Sequence, residues 1–444
     1  MQRPEAMVYS GASMRPVSSW GRLGAEPHDV VELTDRTAVA AAVTGRSGIA
    51  YGLGRSYGDA CLNPNGLLWR TAGLDRLISF DDATGRLVCE AGVVLRDISR
   101  LMIPRGWNLP VVPGTQFVTV GGAIANDVHG KNHHGAGTFG EHVRRFELLR
   151  SDGRRIECSP EENVDLYTAT VGGLGLTGVI VWAEFQLLRI ASPWMAQETR
   201  RFGNLAEFFA LSTESERDYA YTVAWIDCAA SGKAFGRGVF FRANHAPAMA
   251  ATRMPKQRRL SVPVTPPFSL INSLSLRAFN TLYFHRAREG HAIVHYEPYF
   301  YPLDAIAEWN RIYGPQGFLQ YQCVVPPMAS EAAIAELLRT IAASGSGSFL
   351  AVLKVFGDRP PAGILSFPRA GTTLALDFPN HGATTFALLD RLDDIVAAAG
   401  GAVYPAKDAR MSGARFRQYF PRWQSMLPHI DPKFSSGFWR RVME

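Results

Sequence analysis

Cysteine is scarce in this chain and poorly spaced for chemistry. The five residues are Cys61, Cys89, Cys158, Cys228 and Cys323. Their number is odd, no two lie close together and no CxxC occurs. Neither a disulfide framework nor a cysteine zinc site is supported. No apolar run reaches the length that spans a bilayer. Met1 to Pro16 has no apolar core of the kind a secretory signal needs. The expectation is a protein that is soluble or peripheral to the cytoplasmic membrane, with the side of the membrane left open. Also missing is a dense Lys/Arg stripe interleaved with aromatics, which argues against nucleic acid as a partner. The densest basic run, Lys256 to Arg259, is short and sits in a proline-rich segment. The balance of 46 Lys and Arg against 40 Asp and Glu is a mild excess. It weakly favours anionic small ligands or an anionic lipid surface.

What is present is a globular composition, 47% hydrophobic and 19% charged. At 444 residues the chain exceeds one ordinary core, so two domains are expected. From Asp29 to about Ile190, glycine punctuates short elements. Helices are expected over Arg36 to Thr44, Val94 to Met102 and Asp165 to Thr170. Strands are expected over Arg86 to Ala91, Phe146 to Leu149 and Val179 to Leu188. The mixed order predicts α+β rather than a βαβ series. Beyond Pro193, strand patterns (Tyr219 to Ile226, Phe318 to Val325, Phe349 to Phe356, Thr372 to Phe378) alternate with helix patterns (Glu331 to Ser344, Thr385 to Ala399). An antiparallel sheet covered by helices fits that order. Asn244 to Gly290 has no sustained period and reads either as a functional lid or as a surface insertion.

Three glycine-rich elements concentrate the chemistry. The first, YGLGRSYGD, brings Gly52, Leu53, Gly54, Arg55, Ser56 and Tyr57. Successive backbone N–H groups in such a loop form an anion nest, although a plain turn fits equally well. The second runs from Val112 to His134. Pro113, Gly114 and Thr115 make a turn. Thr119, Val120, Gly121, Gly122 and Ala125 are small enough for a flat ring or phosphates to rest on the backbone. Asn126, His129, Gly130, Lys131 and Asn132 then bring polar groups to the same place. The third, GGLGLTG, ends at Gly178 and leads into Val179 and Ile180. It matches GxGxxG literally, but a helix precedes it and a strand follows, which is the wrong context for a Rossmann site. His129, His133 and His134 lack ligand spacing and a completing carboxylate, so no metal is expected.

GLGRSYGD, VPGTQFVTVGGAIANDVHGKNHH, ATVGGLGLTG, EWNRIYGPQGFLQYQ and AKDAR together resemble the vanillyl-alcohol oxidase type of FAD-binding flavoprotein. Within it they are similar to the branch that oxidises polyprenylphosphoryl pentoses. The resemblance runs from about Trp20 to the C-terminus and is poor over Asn244 to Gly290. It implies an FAD-binding domain of residues 1–192 completed by 401–444, with a substrate domain of 193–400 between them. It also implies oxidation of the 2′-hydroxyl of a polyprenylphosphoryl-β-D-ribose to the 2′-keto sugar. That would be the first half of a ribose-to-arabinose epimerisation. A separate NAD(P)H-dependent short-chain reductase would complete it, and peripheral membrane association would suit the lipid substrate. A sugar or aldonolactone oxidase that uses oxygen stays open as the alternative. So does a flavin-containing assembly partner with no turnover.

Site roles follow from the same resemblance. Lys407, in AKDAR, matches an active-site lysine that polarises the alcohol or stabilises charge on the reduced flavin. His129 is assigned to proton handling or substrate positioning. Tyr57 is assigned a place over the flavin. Lys131 matches a residue near the ring. Gln320 and Gln322, two apart on one strand face, would meet sugar hydroxyls. Lys354 would meet the substrate phosphate or a flavin oxygen, with Trp225, Phe300 and Asp377 as further pocket residues. Relatives that attach FAD covalently use a histidine where this chain has Arg55, which implies non-covalent FAD. Some relatives carry a cysteine where this chain has Ala375, so no pocket thiol is expected.

Overall fold

The computed structural model describes residues 14–248 and 260–444. The chain up to residue 13, read above for a signal core, lies outside the described residues, as does the basic run Lys256 to Arg259.

Three sheets organise the fold. In the first, Leu67–Arg70 pairs in parallel with Gly48–Tyr51 and with Glu26–Glu32, and Met14–Val17 closes one edge antiparallel. Trp69 is buried at its centre. Its indole N–H donates to the Ala42 carbonyl at 3.1 Å, and its ring meets Phe434 from the far end of the chain. The second sheet is antiparallel, in the order Leu77–Asp81, Arg86–Glu90, Val179–Gln186, Val143–Leu149, Arg155–Cys158. Val179–Gln186 runs through its middle and is buried on both faces, which is why its sequence alternates only in part.

The third sheet has eight antiparallel strands. The order is Gly290–His295, Trp194–Phe202, Gly238–His245, Tyr221–Ile226, Val352–Phe356, Gly371–Pro379, Phe318–Val325, Ala402–Val403. Side chains alternate across the Phe318–Val325 strand. Leu319, Tyr321 and Cys323 join the core shared with the helices Ser330–Ser344 and Ala383–Ala398. Gln320 and Gln322 point the other way, into a cavity. Register sets Gln320 opposite Asp377, Gln322 opposite Ala375 and Lys354 opposite Thr373. The sheet thereby presents a row of polar side chains on one face.

After Val403 the chain leaves this sheet and turns onto the other two. Asp431 is buried, accepts hydrogen bonds from the Ser151 amide and hydroxyl at 2.8 and 2.6 Å, and pairs with Arg150 at 3.3 Å. Arg150 also donates to the Thr177 and His429 carbonyls. Every charge in this buried junction is satisfied, the condition under which such a pair holds a fold together.

Two sequence expectations change. The helix expected over Arg36 to Thr44 is the shorter Val39–Val43. Asn244 to Gly290 is not devoid of regular structure. It holds the short strand Leu260–Ser261 and the 14-residue helix Ser273–Arg286. Asn272 caps that helix and the Ser275 hydroxyl in return accepts from the Asn272 amide, a reciprocal capping box. Apolar residues occupy both its faces, which erased the period.

Candidate active site

A cavity of about 610 Å³ draws its walls from all three sheets, a size suited to a small-molecule site. The three glycine-rich elements converge on it. Gly52 to Tyr57 follow the strand Gly48–Tyr51 and line one wall. The amides of the cavity-lining residues Gly52, Leu53, Gly54, Arg55 and Ser56 have no hydrogen-bond partner among the described residues. Unpartnered donors in a row, half-buried along a cavity wall, are what a dinucleotide's phosphates need. Gly54 has φ +61°, and a Cβ there would meet the Tyr51 hydroxyl at 2.1 Å, so glycine is required. Gly114 differs, because it is exposed at the cavity edge and a Cβ there would meet no atom within 4 Å. Thr119 caps the short helix Val120–Ala125 through the Gly122 amide, holding Gly121 and Gly122 against the opening.

Lys407 arrives from the other end of the chain. The Tyr57 amide donates to the Ala406 carbonyl at 3.0 Å, joining the first glycine loop to the turn that carries the lysine. The Lys407 Nζ donates to Gln320 Oε1 and stands 4.5 Å from the centre of the Tyr57 ring. Gln320 Nε2 in turn donates to Asp377 Oδ1 at 2.7 Å, and the Tyr313 hydroxyl meets Asp377 Oδ2 at 3.3 Å. A carboxylate that accepts from the amide nitrogen leaves the amide oxygen facing the lysine. Burial depresses the Lys407 pKa, with Asp377 acting against it, and burial raises that of Asp377.

A second polar group surrounds His129. Its Nε2 lies 2.9 Å from Gln322 Nε2 and its Nδ1 lies 3.3 Å from Lys354 Nζ. Lys354 also donates to the Gly130 carbonyl at 3.2 Å. The imidazole stacks edge-on to Phe356. Burial, then the charges of Lys354, His133 and Lys407, hold His129 well below the usual histidine range, so it is neutral. Burial lowers Lys354 to about 7, with Lys131 and Lys407 adding to the effect, and burial alone lowers Lys131 to about 7. The Lys131 Nζ donates to the Tyr299 carbonyl and lies over that ring at 4.4 Å. None of the three cavity lysines forms an ion pair among the described residues. His133 packs on Phe356 and His134 bonds the Tyr219 carbonyl.

Most of the residues singled out in the sequence line this one cavity, including Trp225, Phe300, Gln320, Gln322, Lys354 and Ala375. Four lie behind its wall. Val120 and Val179 are core residues. Asn132 is buried and donates to the Pro110 carbonyl at 2.7 Å. Asp377 is covered by Gln320 and Tyr313. Other lining residues carried no sequence signal, among them Trp20 and Asp304. The Arg55 guanidinium lies 4.0 Å from the Trp20 ring centre and 5.3 Å from that of Phe117. Asp304 accepts from the Thr115 hydroxyl and the Gln116 amide, both at 2.8 Å. Trp20 comes from a turn and Asp304 from the short helix Pro302–Ala305, both far in sequence from the glycine-rich elements they join.

The expectation of a pocket without a thiol needs correction. Ala375 offers none, but Cys61, from the turn after Asp59, lines the cavity. Burial pushes its pKa up to about 12, and the thiol is a poor nucleophile in that state. Iodoacetamide at neutral pH should therefore alkylate Cys61 at least about a hundredfold more slowly than a free thiol. Peptide mass mapping over time checks this, and rapid labelling would contradict it.

Comparison with known proteins agrees with this geometry. The FAD binding domain family matches residues 25–159. The fold and cavity define an FAD-dependent oxidoreductase of the vanillyl-alcohol oxidase type. The chain is 36% identical to the decaprenylphosphoryl-β-D-ribose oxidase of Mycolicibacterium smegmatis, over 95% of this chain and 96% of the relative. It is 34% identical to an uncharacterised protein of Streptomyces coelicolor, over 79% of this chain and all of the relative. To the L-gulonolactone oxidase of Mus musculus it is 30% identical over only 33% of this chain and 34% of the relative. The chain belongs to the decaprenylphosphoryl-β-D-ribose oxidase family. Among the described residues, no helix is long and apolar enough to cross a membrane.

Proposed function

We propose that this chain oxidises the 2′-hydroxyl of a polyprenylphosphoryl-β-D-ribose to the 2′-keto sugar, with FAD held non-covalently. The observation that carries the reading is the meeting of Lys407, Tyr57 and Gln320 beside a wall of unpartnered amides. Bound FAD supplies the acceptor for the hydride from the carbinol carbon. The protein must take the hydroxyl proton, hold the sugar and exclude water. Lys407 suits the first task. Gln320 accepts one of its N–H groups, and depressed basicity leaves a share of the amine unprotonated near neutral pH. His129 suits a positioning role, because Gln322 and Lys354 already engage both ring nitrogens. Lys131 and Lys354, half-buried in the cavity wall without carboxylate partners among the described residues, suit the substrate's phosphate.

Residues 1–192 with 401–444 form the FAD-binding domain in this reading, and 193–400 the substrate domain. The junctions of Asp431 with Arg150 and of Arg441 with Asp59 support joining the tail to the first part. Arg55 packs half-buried against Trp20, and its side chain cannot form the histidyl link to FAD. The keto product requires a separate NAD(P)H-dependent short-chain reductase to complete an epimerisation, and a lipid-tailed substrate suits a protein peripheral to a membrane.

The test is anaerobic mixing of the yellow protein with synthetic short-chain polyprenylphosphoryl ribose. Flavin absorbance should bleach, one equivalent of keto sugar should form, and acid precipitation should release all the FAD. Bleaching by aldonolactones, with none by the polyprenyl sugar, would replace this reading with the lactone oxidase.

A further inference from the structure

The segment between Arg242 and Glu289 contains seven Lys or Arg residues and no acidic one. The rest of the chain is left with 39 Lys and Arg against 40 Asp and Glu, so the molecule's whole positive excess resides here. Arg277, Arg286 and Arg288 of this segment are exposed, and the other four cations lie outside the described residues. Beside them stand unusually exposed apolar groups. Leu260, Val264, Phe268, Leu274 and Leu282 are each more than half exposed. Among the described residues, the one other large apolar side chain exposed to that degree is Met328.

The helix Ser273–Arg286 shows how the surface is built. Leu276 and Asn280 are buried inward. Leu274, Ala278 and Leu282, spaced four apart, form an outward row. Phe279 and Tyr283 stack along the flank, 4.6 Å from Phe349 and 4.7 Å from Trp225 respectively. Tyr283 and Trp225 both line the cavity. On the other side, Leu260–Ser261 pairs with Ile306–Ala307, which also lines it. Arg311 anchors that strand through the Val262 and Pro263 carbonyls at 3.0 and 2.9 Å. The apolar and basic surface is thus the rim of the cavity.

We infer that this rim seats on an anionic lipid surface, with the apolar row in the acyl boundary and the arginines among the headgroups. Large apolar side chains and cations on a segment without an acidic residue have the chemistry of an interfacial helix, and the one exposed carboxylate beside the short strand, Glu308, is paired with Arg311 at 3.5 Å. A second copy of the chain is disfavoured as occupant, because two segments of the same sign would face each other. The inference rests on the proposed substrate only for its purpose: a mouth at the headgroup layer receives a phosphosugar whose prenyl tail stays in the bilayer.

Vesicle binding tests it without turnover. The FAD-loaded protein should co-sediment with vesicles of phosphatidylglycerol and phosphatidylcholine, and salt should weaken the binding. Arg277→Glu should reduce partition about fivefold or more. Leu274→Asp with Leu282→Asp should reduce it at least about tenfold. These variants should keep their FAD content and their bleaching rate with a soluble short-chain substrate. Wild-type protein that ignores anionic vesicles, or a double variant that binds them undiminished, overturns the inference. So does a dimer in gel filtration that the double variant dissolves. Vesicle binding by a protein that polyprenyl sugars fail to bleach would sink the substrate reading and leave the docking surface standing.

Discussion

Lys407→Met lowers the rate at which substrate bleaches the flavin by about 10²- to 10⁴-fold, the range expected for loss of a positioned proton acceptor. Methionine keeps most of the length and an apolar stem while removing the amine that now stands 4.5 Å from the Tyr57 ring centre. Thermal stability should hold or rise. Burial depresses this lysine's pKa in the folded chain. At neutral pH the unfolded chain therefore takes up the proton more readily, and the buried amine works against folding. Removing it relieves that term. A large loss of rate in a protein no less stable marks lost chemistry rather than a lost fold. Arginine does not restore the rate, because a guanidinium stays protonated and cannot take a proton. Stopped-flow bleaching of the variants, with melting curves beside it, checks each part. A Lys407→Met protein that bleaches at the wild-type rate removes the lysine from the mechanism.

The pH profile follows from the same group. If the unprotonated amine is the acceptor, the bleaching rate climbs with pH and levels off above the depressed pKa of Lys407, below the ordinary lysine range. Gln320→Glu places a carboxylate where an amide oxygen now meets the Nζ. That pins the ammonium form and moves the climb to higher pH. Asp377, already biased toward its protonated form by burial, can donate to the new carboxylate, so the fold tolerates the exchange. Bleaching rates across pH for the two proteins decide it. A profile that falls with rising pH would make Lys407 an electrostatic group in its charged form.

Local patterns made much of this architecture legible. The alternation of Phe318–Val325 put Gln320 and Gln322 on one face, and the structure turns that face to the cavity. The helix before and the strand after GGLGLTG excluded a Rossmann turn, and Val164–Thr170 and Val179–Gln186 occupy those places. Illegible features depended on distant partners. Nothing near Trp20 announces that Arg55 will stack on it, and nothing near Asp377 announces cover by Tyr313. The helix Ser273–Arg286 hid because its outward face is as apolar as its inward one. That is a surface property, so periodicity reads it as noise. Asn132 sits in a polar run beside glycines, yet its amide closes a buried turn through Pro110 rather than facing the cavity.

Two glycine substitutions should separate the cavity's frame from its edge. A Cβ on Gly58 would stand 1.7 Å from the Asp408 carbonyl oxygen and 2.9 Å from the Ala409 Cα. These are backbone atoms, which cannot swing aside as a side-chain tip would. The loop and the tail must part at the seam where Tyr57 bonds Ala406, and Lys407 moves with the tail. Gly58→Ala should therefore lose about 3 kcal/mol of stability, at the upper end for overpacking. It should lose FAD and bleaching together. A Cβ on Gly114 meets no protein atom within 4 Å, though the residue lines the cavity. Gly114→Ala should leave the apoprotein's denaturation midpoint unchanged and disturb FAD retention far less than Gly58→Ala, because the position is exposed and the new methyl displaces no packed atom. Denaturant titration of both apoproteins, and FAD retained after gel filtration, distinguish the cases. A Gly58→Ala protein as stable as the wild type would mean that the loop and tail are not braced against each other, and the placement of Lys407 beside Gln320 would lose its support.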